Sequence, residues 1–143
     1  MQQVNDITKE VYEALFTMLA GITVHDINIP VISVTGGLNE YGTYISISQC
    51  AQLPDSNKTG VGYSISVLVE VSHKGADYLF VSDIVNEIIG RLYEQSEIPV
   101  NDKIAYIVNE PEISEIVEDL GSDVYIRKLL RITMLITNTI AHV

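Results

Sequence analysis

The stretch VLVEVSHKGADYLFVSDIVNEIIGRL, residues 67–92, decides the fold. It opens as the second half of an alternating run, GYSISVLVEVS. There Tyr63, Ile65, Val67, Val69 and Val71 share one side, while Ser64, Ser66, Glu70 and Ser72 share the other, with Leu68 as the exception. One apolar and one wetter face predict a strand in an antiparallel sheet, since a parallel sheet is covered on both sides. His73-Lys74-Gly75 makes the turn, and Asp77 is the predicted N-cap of a helix. Phe80, Val81, Ile84, Val85, Ile88, Ile89 and Leu92 form one broad stripe on that helix. A strand, a turn and a helix can cradle a phosphate, but this turn has no glycine-rich loop. The unit is architecture: the helix returns to cover the sheet.

Outward from this unit the pattern repeats. Ile7, Val11, Ala14, Leu15, Met18, Leu19 and Ile22 follow helical spacing behind Asn5-Asp6, with Tyr12 and Phe16 beside the stripe and Gly21 as its stop. VYEALFTMLAGI is interrupted by acid and has no basic segment before it, so it is expected to be this helix and not a signal peptide. NIPVISV, TYISISQC, KIAYIV and YIRKLLRITMLIT are predicted strands. In the last, Val124, Ile126, Leu130, Ile132, Met134 and Ile136 share a face interrupted by Lys128, and Tyr125, Arg127, Leu129, Arg131, Thr133 and Leu135 share the other. AQLPDSNKTG reads as a turn or extended loop over 51–61, and EQSEIPVND as a linker. Pro111, the spacing of Ile113, Ile116, Val117 and Leu120, and Gly121 favour a short helix within 109–121, with a strand as the alternative. The expectation is one α+β domain over residues 1–143, a mostly antiparallel sheet with two main helices packed on it.

At 47% apolar residues a chain of 143 is on the rich side for a small domain: either the core is generous or some apolar surface is kept for other subunits. No run approaches the ~20 residues of a membrane span. The net charge of −11 argues against gripping nucleic acid by neutralising phosphates. Cys50, the one cysteine, excludes an intrachain disulfide and reads as a small strand residue.

No catalytic constellation emerges, and the chain is not expected to be an enzyme or to hold a cofactor. His25, His73 and His142 lie in separate segments, and the side chains of adjacent His25 and Asp26 would point apart in a strand. TGVGY precedes a strand and lacks the Lys-Ser/Thr of a phosphate loop. Glu110, Glu112, Glu115, Glu118, Asp119 and Asp123 cluster without an intervening base. They read first as a solvated edge, and second as a carboxylate or hard-cation site. Arg127 and Arg131 share a strand face and read as partners for nearby acids or for a neighbouring subunit.

The order VYEALFTMLAGITVHDINIPVIS, YISISQ, DSNKTGVGYSISVLVEVSHKG, VSDIVNEIIGRL and YIRKLLRITMLIT resembles the tail-completion and tail-terminator proteins of tailed bacteriophages. The likeness covers nearly the whole chain. EPEISEIVEDLG departs from it, being longer and more acidic than a simple hairpin needs. The resemblance implies a structural virion protein at the head–tail junction, assembled in the host cytoplasm. It implies a homo-oligomeric ring, commonly of six copies with twelve as the variant, touching the tail tube protein on one face and the head-completion or connector protein on the other. In such a ring Asp55, Asn57, Lys58, Arg127 and Arg131 are expected contacts, and Glu110, Glu112, Glu115, Glu118 and Asp119 would face a lumen or a partner. Genomic DNA would pass nearby without specific binding, because like charge repels phosphate. A connector ring or tube subunit is the nearest alternative. A small acidic module binding a ligand or divalent cation is the alternative of a different class.

Overall fold

The computed structural model describes residues 6–32, 42–54, 62–95 and 97–137. Their order is α1 (Thr8–Leu19), β1 (Thr23–Val24), β2 (Ile27–Asn28), β3 (Val31–Ile32), β4 (Thr43–Pro54), β5 (Gly62–Lys74), α2 (Tyr78–Tyr93), β6 (Ile98–Val100), β7 (Lys103–Ile107), β8 (Glu112–Asp119) and β9 (Val124–Thr137). The fold is α+β, with a curled, mostly antiparallel sheet.

β5 keeps its alternation because one face is covered. Ile65, Val67, Val69 and Val71 are fully buried, and Tyr63 nearly so. They join Ile45 and Ile47 of β4 and Ile126, Leu130, Ile132, Met134 and Ile136 of β9 in one core. Both helices close it, α1 through Val11, Leu15 and Leu19, and α2 through Val81, Ile84, Ile88 and Leu92. Tyr12 and Phe16, beside the stripe, pack partly buried against this same core. Asp77 caps α2, its Oδ1 accepting the Phe80 N–H at 3.1 Å.

The sheet runs β3-β4-β5-β9-β7-β6, and β8 also lies beside β9. β9 pairs with β5 along its whole length, from Gly62↔Thr137 to Lys74↔Tyr125. Its other edge is divided, residues 134–137 pairing with β7 and 124–131 with β8. Among the described residues only the two-residue pairing of β3 with β4 is parallel.

Four sequence expectations change. Segment 109–121 holds the strand β8 in place of a helix, because antiparallel pairing with β9 captures Glu112–Asp119. Gly121, with φ of 91°, serves its turn. The expected loop over 51–61 begins later: Ala51–Pro54 still pair with Tyr63–Ser66, after a bulge between Ser48 and Ala51. The extra residue switches faces, so that Gln52 turns to the helix side and its Oε1 accepts the Ile7 N–H at 3.0 Å. Cys50 lies at this bulge, half-buried, and burial first, then the Asp6 charge, push its thiol pKa up. The linker after α2 contains β6, an edge strand whose Ile98 and Val100 are buried, with Pro99 between them. His25 and Asp26 are not in a strand: their φ values of 52° and 64° make the turn of the β1–β2 hairpin.

Arg91 ties the two helices together. Its Nη1 donates to the carbonyls of Met18 (3.1 Å) and Ala20 (2.8 Å), and its Nη2 reaches that of Gly21. The carbonyls of Met18 and Ala20 are among the acceptors a helix C-terminus leaves unpaired, and a cation there also suits the helix dipole. Arg91→Met keeps most of the stem and removes the donors. It should cost about 1–2 kcal/mol in urea unfolding, as expected for losing hydrogen bonds from a charged group that is partly solvated.

Candidate functional surface

The helices occupy one side of the sheet, and no described helix lies on the other. That second side is less wet than the serines of β5 suggest. Glu70 and Ser72 are buried, as are Tyr44, Ser46 and Leu68. At the end where β4, β5, β8 and β9 meet, the curl leaves a cavity of about 430 Å3. Tyr44, Glu70, Ser72, Lys74, Tyr125 and Arg127 line it, together with His73 and Glu118.

Its floor is a charge pair set by register. Ser72 stands opposite Arg127, which places the guanidinium diagonally across from Glu70. Arg127 Nε donates to Glu70 Oε2 at 2.8 Å and Nη2 to Oε1 at 3.1 Å, a bidentate fork. Ser72 Oγ donates to the same Oε2 at 2.9 Å. Burial alone would raise the Glu70 pKa, but the hydrogen bonds from Arg127 and Ser72 and the Arg127 charge outweigh it, holding the carboxyl below its ordinary value. Arg127 is raised in turn, chiefly by its bonds to Glu70. At the rim, His73 Nδ1 lies 2.8 Å from Thr43 Oγ1, its pKa lowered by burial against the opposing pull of Asp77.

The acidic segment has a different setting. β8 is exposed along its whole length. Glu115 pairs with Lys128 at 3.0 Å. Glu112 lies opposite Arg131 and Glu118 opposite Tyr125. Asp119 Oδ1 accepts the Gly121 N–H at 3.0 Å. Glu110 sits before the strand, where its charge adds to burial in raising the Tyr93 pKa. Ile113, Ile116, Val117 and Leu120 stay between 41% and 66% exposed.

Of the residues singled out by sequence, Arg127 and Arg131 do share a face. They have separate partners: Arg127 takes Glu70, and Arg131 Nη1 donates to Ser66 Oγ at 3.2 Å. Asp55, Asn57 and Lys58 lie outside the described residues. Sequence reasoning missed Glu70 as the partner of Arg127, and the single signal for it was a carboxylate set among serines on a strand. It also missed the hydrogen bond between His25 Nε2 and Asp83 Oδ2 at 2.7 Å. Among the described residues no three His, Cys, Asp or Glu side chains converge as a metal site. Nor is any described helix long and apolar enough to cross a membrane. No protein-family model matches the chain, and no curated protein matches it.

Proposed function

We propose that the chain is a structural subunit that assembles with copies of itself into a ring at a phage head–tail junction, ending the tail tube or joining it to the connector. The observation that carries this reading is the apolar surface left outside the core. Leu79 at 77% and Tyr78 at 48% exposure open α2, and Ile113, Ile116, Val117 and Leu120 stand out along β8. A small domain that has filled its core and still presents large aliphatic side chains is suited to subunit contacts. The order of elements and the sequence resemblance supply the setting. In the ring, the acids from Glu110 to Asp119 face a lumen or a partner, and their charge keeps DNA from adhering.

The test is native mass spectrometry of the purified protein, alone and with a tail-tube protein. A closed ring under either condition is the expected result. A strict monomer under both would reject the ring.

The cavity over Glu70 and Arg127 favours one second reading, a small-molecule module. About 430 Å3, bounded by two tyrosines and fixed polar groups, falls within the range of ligand sites. Under that reading a ligand, and not a protein partner, should raise the melting temperature, and Tyr44→Ala should abolish the rise.

A further inference from the structure

The sheet ends in edges of two kinds. β3 has two residues, and β6 has three with Pro99 in the middle. Short length and proline are the ordinary means by which an edge is closed to further strands. β8 has neither: it is eight residues long and pairs in unbroken register with β9. It contains no proline and no basic residue.

The backbone groups of β8 that have no partner among the described residues can be assigned. Leu120 N–H donates to Asp123 C=O at 2.9 Å, which makes residues 120 and 123 a hydrogen-bonded pair. Antiparallel pairs alternate in kind, so Glu112, Ser114, Ile116 and Glu118 point their backbone groups at β9. Gly75 N–H donating to Val124 C=O fixes the same parity on the β5 side of β9. The N–H and C=O groups of Ile113, Glu115, Val117 and Asp119 therefore face away from the sheet.

We propose that this free edge is a docking site for an extended segment of a partner protein that alternates basic and apolar residues, added to the sheet as a further strand. The charge selects the occupant. Glu112 and Glu118 share a face of β8 and form no ion pair among the described residues, and the nearby cations have other partners: Arg127 with Glu70, Lys128 with Glu115, Arg131 with Ser66. A second β8 would set acids against acids, which is destabilising, whereas Lys or Arg opposite them is favourable. In an alternating segment the apolar side chains would cover Ile113 and Val117 on one face, and the basic ones would lie beside Glu112 and Glu118 on the other. Backbone bonds give affinity in such strand addition, and alternate side chains give selectivity. The site stands whether or not the chain forms a ring.

The test uses the full chain and a fluorescent eight-residue peptide alternating Lys and Val, with a Glu-Val peptide as the control. Binding of the Lys-Val peptide and not the Glu-Val peptide is expected, with slowed amide exchange at Ile113, Glu115, Val117 and Asp119. Val117→Pro removes an outward N–H and leaves the β9 ladder its bonds, since proline is tolerated where an edge faces solvent. It should weaken binding about tenfold or more, the equivalent of losing a well-made contact. Glu112→Lys with Glu118→Lys should reverse the preference between peptides. Equal binding to wild type and Val117→Pro, without the exchange signature, would reduce the effect to surface charge and overturn the proposal. So would a dimer of the chain alone that Val117→Pro dissolves, because the edge would then belong to a second copy.

Discussion

Arg127→Met should destabilise the protein by about 2–4 kcal/mol at pH 7 in urea unfolding, somewhat less than a fully buried pair because Arg127 keeps a third of its side chain in water. Most of that loss comes from the carboxylate left behind. Glu70 is 7% exposed in its side chain, and without the guanidinium fork Ser72 is left to support its charge among the described residues. Glu70→Leu combined with Arg127→Leu should recover most of the loss, because the uncompensated charge goes too. The pH profile separates this account from lost packing. In the wild type the folded Glu70 pKa lies below its unfolded value, so its contribution is complete above the ordinary carboxylate range and is lost as pH falls through the folded pKa. In Arg127→Met burial acts with little opposition and raises the folded value. That variant should gain stability as pH falls through the raised pKa, where the wild type gains none. Parallel profiles for the two proteins would reject the pair as the source of the effect.

Ile88→Ala should cost more than any surface change, about 2–5 kcal/mol, since deleting a buried aliphatic side chain loses both transfer free energy and packing around the cavity. Ile88 is fully buried on α2, within the same core as the β5 residues. The matched comparison on the same helix is Leu79→Ser. At 77% exposure in the single chain Leu79 gives up little when one subunit folds, so in the unassembled protein the change should stay within about 0.5 kcal/mol. Chemical denaturation of both variants measures the difference. A Leu79→Ser loss comparable to that of Ile88→Ala would mean that the first turn of α2 is covered in solution, which places it in a subunit contact.

Where one face of an element is buried, the sequence was legible. β5 and α2 could be read because Val67, Val69 and Val71, and then Ile84 and Ile88, repeat at the period of the element that buries them. β8 was misread for a physical reason. Ile113, Ile116, Val117 and Leu120 satisfy helical spacing, with Pro111 and Gly121 as matching punctuation. A strand exposed on both faces has no one-sided alternation to contradict that pattern. What fixes it is pairing with β9, which is written in a different stretch of the chain. The Glu70–Arg127 pair was hidden for the same reason. The two residues are 57 positions apart, and only the β5–β9 register makes them neighbours. The Ser48–Ala51 bulge likewise leaves no local mark, although it decides which way Gln52 faces.

The position of β9 sets the order in which the molecule can be made. β5, β7 and β8 all pair with a strand that follows every one of them in the chain. During synthesis β5 therefore leaves the ribosome with β4 on one side and an open edge on the other, and β8 emerges before the strand it pairs with. Sheets closed by such distant pairings fold slowly, and their unpaired edges are prone to association in the meantime. A chain stopped before Val124 would lose the strand that joins β4 and β5 to β6 and β7. It would be a substrate for chaperones and proteases, and not a smaller version of the same subunit.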